Sequence, residues 1–229
     1  MLETFLPELI HYKVAEPWMW ETPGTLQEEY LVERAVIKRK REFRAGRHAA
    51  RFLFESLKIE HPHLLKGIQR EPAWPNGWVG SISHTQGICM VILASQSDYL
   101  SIGLDAEQAT PLNPELTEMI CRPEEIDALR ALRVRTGTDL ALEKMVFSAK
   151  ESIHKTYFPL NHHTLDFLDA RIDLDWERQA FDAWILNPEP QPKLDIKHLQ
   201  GKFLFYQDWI LTYIAYPKPA INPLPVNGN

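Results

Sequence analysis

Apolar residues recur at helical spacing in two long stretches of the chain. In residues 26–57 they return every three or four positions, which predicts a helix. A similar pattern predicts a long helix from a cap at Asp139 to about Phe158. Pro123 suits the first turn of a further helix, because proline lacks the N–H that such a turn leaves unpaired.

Short apolar or alternating runs predict strands in the rest of the chain. They cover residues 79–83, 88–95, 101–105, 166–175, 181–186 and 202–216. The last run is long enough to fold back on itself near Gln207 and Asp208. Each half thus has a helical region followed by strands, which predicts an α+β fold of two similar halves.

The order of elements also suggests how the chain divides. We assign residues 1–105 to an N-terminal α+β half and residues 106–216 to a C-terminal α+β half. Residues 217–229 are rich in proline and lack periodicity, so we expect a mobile tail there.

Composition and charge narrow the function classes. The 229 residues carry a formal net charge of −6, which argues against a general affinity for nucleic acid. The N-terminus has acids where a signal peptide has bases, and no apolar run approaches the roughly 20 residues of a membrane helix. We therefore expect a cytoplasmic protein without a membrane segment. Cys89 and Cys121 match no metal-ligand spacing, so we expect two buried thiols rather than a disulfide.

One basic stretch stands out on this acidic chain. Residues 38–51 hold seven Lys or Arg and a single acid, a net charge of +6. Lys40, Arg44, Arg47 and Arg51 share one face of the predicted helix. A charge run of this kind is commonly a solvated face paired with nearby acids. A bound compact polyanion is the alternative, because one guanidinium fork can bind each phosphate.

Two pairs of charged residues are further candidates. Asp105 and Glu107 lie two positions apart at the end of a predicted strand, so their carboxylates share one face. Such carboxylates repel each other unless a cation lies between them, and oxygen ligands suit Mg²⁺. Glu151 and Lys155 share a face of the predicted long helix. Taken singly, each pair is better explained by ordinary surface charges.

Ser83 and His84, in the segment GSISHT, form the last candidate pair. The hydroxyl and the ring N–H can both donate to a phosphate. A histidine in such a place is more often a core residue whose hydrogen bonds are satisfied within the protein.

Together these features resemble the signature of the 4'-phosphopantetheinyl transferase superfamily. The basic helix matches through Arg41, Glu42, Phe43, Arg47, Ala50 and Arg51, and three further motifs are WPNGWVGSISH, GLDAE and FSAKESIHKTYFP. The resemblance, over residues 38–160, is to the two-domain type that activates siderophore, peptide and polyketide synthetases. Within that type it is to the enterobactin-synthetase component D subgroup.

The resemblance implies a fold, a reaction and partners. The fold would be a pseudo-dimer of two similar α+β halves, with coenzyme A in the cleft between them. The reaction would be a Mg²⁺-dependent transfer of 4'-phosphopantetheine from coenzyme A to a serine of an apo carrier protein, with release of 3',5'-ADP. The partner would be an acyl or peptidyl carrier protein domain of a peptide, polyketide or fatty-acid synthase, and the enzyme would be a monomer.

The resemblance also implies roles for the matching residues. Coenzyme A would be bound by Arg47, Arg51, Ser83, His84 and Lys155. Mg²⁺ would be bound by Asp105, Glu107 and Glu151. The chemistry would depend on Asp105, on Lys155 at the pyrophosphate, and on Glu151 as the base for the serine hydroxyl.

One position departs from the family pattern. Relatives often have a lysine a few residues before the segment EPAWP, where this chain has Gln69 and Arg70. Arg70 and the upstream Lys66 are therefore candidates for contact with the same phosphate.

Two other function classes stay open at the level of sequence. A non-catalytic nucleotide-binding module could keep the fold, although it has no need of the full set of acids and lysine. Another Mg²⁺-dependent phosphotransferase could act on a small molecule, although the chain has no G-x-x-x-x-G-K-[ST] loop. The pathway, the tolerance of acyl-coenzyme A and the choice between Mg²⁺ and Mn²⁺ are also left open.

Overall fold

The computed structural model describes residues 2–61, 63–67, 69, 71–188 and 190–219. In chain order the elements are α1 (Leu2–Phe5), β1 (His11–Val14), α2 (Pro17–Glu21), α3 (Leu26–Tyr30), α4 (Ile37–Ser56), β2 (Trp78–Thr85), β3 (Ile88–Ser95), β4 (Tyr99–Gln108), α5 (Pro114–Ile120), α6 (Pro123–Thr136), α7 (Leu142–Asn161), a 3₁₀ turn (Phe167–Asp169), β5 (Ala170–Asp175), β6 (Ala180–Ile185), β7 (His198–Tyr206) and β8 (Trp209–Pro217). The α+β class predicted from the sequence is confirmed.

The strands form two antiparallel sheets. The first has the order β1-β3-β2, and the second has the order β4-β8-β7-β6-β5. A 20-residue helix belongs to each sheet, α4 to the first and α7 to the second. The predicted fold-back near Gln207 is confirmed, because that residue turns between β7 and β8 with a φ of 53°.

Two serine side chains join the sheets where β2 runs beside β4. The Ser81 hydroxyl accepts a hydrogen bond from the Leu104 N–H, and the Ser83 hydroxyl accepts one from the Ala106 N–H, each at 3.0 Å. These hydroxyls satisfy buried backbone donors that no neighbouring strand reaches. The junction therefore fixes β2 against β4 without merging the sheets.

Three apolar clusters hold the layers together. One packs α4 on β3, one packs α6 and α7 on the second sheet, and one joins the two sheets through residues such as Met90, Leu104 and Leu211. Ile88–Ala94 is buried along its whole length because β3 has apolar neighbours on both faces.

The single helix predicted over residues 26–57 is wrong, because the structure divides it into α3 and α4. In one continuous helix, Glu28 and Arg51 would be about 35 Å apart at 1.5 Å per residue. Here the turns between the two helices bring the Glu28 carboxylate into contact with the Arg51 guanidinium. Formation of this ion pair requires the break.

The predicted start of the long helix is also wrong. The cap is Ala141 rather than Asp139, it makes no side-chain cap, and α7 ends after Asn161 with His162 at a φ of 53°. Pro123 does begin α6, as predicted. Cys89 and Cys121 are buried free thiols, also as predicted.

The division predicted after residue 105 lies inside β4, which pairs with β8 from Tyr99 to Gln108. Division by sheets would instead place the boundary between β3 and β4. The predicted tail begins with Pro217, the last residue of β8, and residues 220–229 lie outside the described part of the chain. None of the described helices is long and apolar enough to cross a membrane.

Candidate active site

Asp105 lies at the centre of the candidate site, in β4 and almost fully buried. Its Oδ1 accepts hydrogen bonds from the Ser83 hydroxyl at 2.9 Å and from the Lys155 ammonium at 2.7 Å. Its Oδ2 is also buried but has no hydrogen-bond partner among the described residues. A buried carboxylate oxygen without a partner is costly, so this atom is a candidate ligand for a cation.

Gly103 allows α7 to approach β4 closely enough for this contact. A Cβ on Gly103 would lie 2.2 Å from the Ser152 carbonyl oxygen and 2.3 Å from the Thr156 hydroxyl oxygen. The missing side chain therefore permits backbone contact between strand and helix. As a result, Lys155 of α7 reaches both Asp105 and the Ser83 hydroxyl of β2, the latter at 3.1 Å.

The two other predicted ligands lie within electrostatic reach of Asp105. Burial raises the pKa of Glu107, and the charge of Asp105 raises it further, against the nearby Lys144 and Lys155 ammonium groups. Burial and then Asp105 raise the pKa of Glu151 as well, with Lys155 opposing. The carboxylates of Asp105, Glu107 and Glu151 are therefore close enough to repel one another electrostatically.

The oxygen atoms of these acids are suitable ligands for Mg²⁺, but the acids are not arranged around a single metal position. All their donor atoms are oxygens, and repulsion among them is what a cation would relieve. Among the described residues, however, no three His, Cys, Asp or Glu side chains are grouped closely enough to hold a metal ion. Lys155 instead neutralises Asp105.

Ser83 and His84 already have partners inside the protein. The Ser83 hydroxyl donates to Asp105 and accepts from the Ala106 N–H and Lys155. The Arg39 guanidinium can only donate, so His84 Nε2, 2.8 Å away, must accept. Burial lowers the pKa of His84, which agrees with a neutral ring.

The predicted basic face of α4 is largely engaged with acids and backbone. The Arg44 guanidinium forms a forked pair with Glu29, with N···O distances of 2.6 and 3.0 Å. Arg51 contacts the fully buried Glu28 and the His48 ring. Arg44 and Arg51 are therefore paired with nearby acids, which is the commoner of the two arrangements that the sequence left open.

Arg47 is buried, in contrast to an ordinary phosphate-binding surface arginine. Its Nε donates to the Leu64 carbonyl at 3.0 Å, and its guanidinium lies 4.0 Å from the centre of the Phe43 ring. Burial lowers the pKa of Arg47 to about 10. The Lys66 ammonium lies 5.1 Å from the same ring, whereas Arg70 is outside the described residues.

Two cavities are lined by side chains of the candidate site. One of about 440 Å³ is lined in part by Trp74, Lys155 and Phe158, and one of about 530 Å³ is lined in part by Glu151. His154 lines both cavities.

Sequence reasoning missed three of the residues around the site. They are Glu28, Arg39 and His154. The spacing of Thr25 and Glu28 could have indicated a capping box, which the structure contains. No local pattern indicates that Glu28 would pair with a residue 23 positions away.

Comparison with known proteins identifies similar sequences across most of the chain. A sequence model of the 4'-phosphopantetheinyl transferase N-terminal domain matches residues 27–94, and one of the 4'-phosphopantetheinyl transferase superfamily matches residues 101–214. The gap between the two matches runs from the end of β3 to the start of β4.

Three relatives illustrate the range of similarity. The 4'-phosphopantetheinyl transferase Svp of Streptomyces mobaraensis is 35% identical over 85% of this chain and 79% of its own length. The 4'-phosphopantetheinyl transferase PptT of Mycobacterium tuberculosis is 32% identical over 94% of this chain and 97% of its own length. Enterobactin synthase component D of Escherichia coli K12 is 31% identical over 65% and 68%, respectively.

Proposed function

This chain belongs to the 4'-phosphopantetheinyl transferase superfamily, and we propose that it transfers 4'-phosphopantetheine from coenzyme A to a serine of an apo carrier protein, in a cleft between its two halves. The observation that carries the proposal is the contact of Lys155, Asp105 and Ser83, because it joins α7, β4 and β2 across the two sheets. Two cavities that are both lined by His154 support a bound substrate there.

The reaction forms one bond and breaks one. The serine oxygen of the carrier attacks the β-phosphorus of coenzyme A, the bond from that phosphorus to the bridging oxygen breaks, and 3',5'-ADP leaves with the electron pair. Glu151 takes the serine proton. Glu151 lines one of the cavities beside the site, which supports this role.

Lys155 acts on the leaving side. Its ammonium would face the pyrophosphate, where negative charge builds as the bond breaks. Two unit charges about 4 Å apart attract by about 4 kcal/mol at an effective dielectric of about 20. Pairing with Asp105 and Ser83 holds the ammonium in place for this contact.

The oxygen donors of the site suit a magnesium ion, although the three acids are not grouped around one position among the described residues. Asp105, Glu107 and Glu151 would hold the ion, and Asp105 Oδ2, which has no partner among the described residues, supports this assignment. Bound there, Mg²⁺ supplies charge neutralisation for the pyrophosphate.

The nucleotide end of coenzyme A would lie along α4. Arg47 and Lys66, which share the Phe43 ring, would provide positive charge, and the 3'-phosphate would compete with Glu28 for Arg51. Ser83 and His84 are proposed phosphate contacts on the basis of the family motifs, and Arg70 is proposed as a substitute for the lysine that relatives often have nearby.

We further propose a cytoplasmic monomer that acts in siderophore or other secondary-metabolite synthesis. The similarity to enterobactin synthase component D supports that kind of pathway. The substrate carrier would be an acyl or peptidyl carrier protein domain.

The direct test is the intact mass of a purified apo carrier protein after incubation with this protein, coenzyme A and Mg²⁺. We expect a gain of one phosphopantetheine group, which is lost with EDTA and with Glu151→Ala. Peptide, polyketide and fatty-acid carriers should be tried in parallel. No gain with any of them, despite measurable binding of coenzyme A, would favour a nucleotide-binding module.

A further inference from the structure

Lys150, the residue before Glu151 on α7, forms a buried ion pair with Glu125 of α6. The Lys150 ammonium donates to Glu125 Oε2 at 2.7 Å and to the Ile120 carbonyl at 2.8 Å. Only 2% of each charged side chain is exposed. The function proposed above leaves this pair without a role.

Glu125 connects four parts of the second half. Besides Lys150, its carboxylate accepts the Arg122 N–H at 2.7 Å, at the start of α6, and the Ile172 N–H at 2.6 Å, in β5. β5 is the outer strand of its sheet, so the Ile172 N–H faces Glu125 rather than another strand. The end of α5, the start of α6, β5 and α7 thus meet at one carboxylate and one ammonium.

Lys150 anchors α7 on one side of Glu151, and Ser152 anchors it on the other. The Ser152 hydroxyl lies 2.7 Å from the Thr212 hydroxyl of β8. Consecutive helix residues point about 100° apart, at 3.6 residues per turn. Anchors at 150 and 152 therefore fix both the rotation of α7 and the direction in which Glu151 leaves the helix.

Stability alone gives little reason for such a pair. Moving two charges out of water costs about as much as their attraction returns, and well-packed apolar replacements are often neutral or stabilising. A role in geometry is the better explanation, because a pair with four fixed hydrogen bonds defines one arrangement of its elements.

We propose that Lys150 and Glu125 are positioning residues, which hold Glu151 toward Asp105 and so set the affinity of the site for its divalent cation. The proposal rests on the metal site proposed above. Groups that orient metal ligands typically change metal affinity by 10- to 100-fold when they are removed.

The test compares Lys150→Met with the wild-type protein and with Asn161→Ala. Asn161 is on the same helix and its buried side-chain oxygen accepts the Leu194 N–H at 2.8 Å, so Asn161→Ala removes a polar contact ten residues away from Glu151. Mn²⁺ affinity is measured by electron paramagnetic resonance with coenzyme A present, and coenzyme A affinity is measured in EDTA. We expect Lys150→Met to weaken Mn²⁺ by at least about tenfold, with coenzyme A affinity unchanged, and Asn161→Ala to alter neither.

A double variant, Glu125→Gln with Lys150→Met, guards against misfolding, because it leaves no buried charge without a partner. It should unfold at a higher temperature than Lys150→Met and still bind Mn²⁺ weakly. Wild-type Mn²⁺ affinity in a folded Lys150→Met or double variant overturns the positioning role while the proposed function stands. A wild-type protein that binds no Mn²⁺ and transfers no phosphopantetheine refutes the proposed function, and the positioning role with it.

Discussion

The two oxygens of the Asp105 carboxylate differ in their hydrogen-bond partners. Oδ1 receives a hydroxyl and an ammonium, while Oδ2 is buried without a partner among the described residues. The two neighbouring acids are held at raised pKa values by burial and by this same carboxylate. The site therefore keeps negative charge close together before any cation arrives, which costs stability and favours cation binding.

Glu151→Gln tests the proposed role of Glu151 as a base separately from the binding of coenzyme A. The amide is similar in shape but cannot take the serine proton, so we expect turnover to fall by at least about 100-fold. Coenzyme A binding with Mg²⁺ present should be largely kept, as measured by calorimetry. Equal losses of binding and turnover would leave Glu151 as a metal ligand only.

Glu107→Gln tests the pH dependence that the raised pKa of Glu107 implies. Between the ordinary glutamate pKa and the raised folded value, the folded protein binds a proton that the unfolded chain does not, so stability falls as pH rises through that window. Replacing the Glu107 carboxyl group with an amide should abolish this loss of folding stability. In EDTA, the melting temperature of the variant relative to wild type should therefore increase as pH rises from about 4.5 toward neutral.

The exposed Glu118→Gln variant is the control for the same scan. A melting-temperature difference for Glu107→Gln that stays constant across this range would contradict the burial and repulsion inferred for Glu107.

At the scale of elements, the approach of α7 to β4 determines whether the site exists. Gly103 and Ser152 meet through backbone atoms, so no rotamer change can make room for a side chain. Helix and strand must separate instead, and Lys155 would then move away from Asp105.

Gly103→Ala should therefore cost at least about 3 kcal/mol of unfolding free energy, at the upper end of overpacking effects. The matched control is Gly77→Ala, which adds the same methyl group where no atom lies within 4 Å. Because Gly77 has a φ of +83°, that control should cost only the backbone strain of about 1–2 kcal/mol. Urea denaturation measures both, and equal costs would contradict the close packing described here.

In the whole molecule, two serines connect the two sheets, and only Ser83 also contacts the proposed site residues. Ser81 and Ser83 make equivalent contacts to backbone N–H groups of β4, and Ser83 alone also contacts Asp105 and Lys155. The junction between the sheets and the polar centre of the site therefore share one residue.

Ser81→Ala and Ser83→Ala should consequently differ in activity more than in stability. Each leaves a buried N–H unpaired, at a cost of about 1–3 kcal/mol. Only Ser83→Ala should also lower kcat for transfer to a carrier, because it releases Asp105 and Lys155. Thermal unfolding and the carrier mass assay measure the two effects, and equal activity in both variants would exclude Ser83 from the site.

Local patterns in the amino-acid sequence predicted the α+β class, most strands, the fold-back at Gln207 and the family. These features depend on patterns within one helical turn, one pleat or one contiguous motif, where spacing alone decides which side chains share a face. Those patterns also placed Asp105 with Glu107, and Glu151 with Lys155, for the same reason.

Which of these pairs come together, and which residues support them, depends on contacts between distant parts of the chain. Glu28 contacts Arg51 across 23 positions, Glu125 contacts Lys150 across 25, and Ser83 contacts Lys155 across 72. Contacts of that range follow from how layers pack and where a helix breaks, which no local spacing encodes. For that reason the basic face predicted on α4 has two of its arginines already paired with acids, and the anchors of Glu151 became visible only once the helices and sheets were in place.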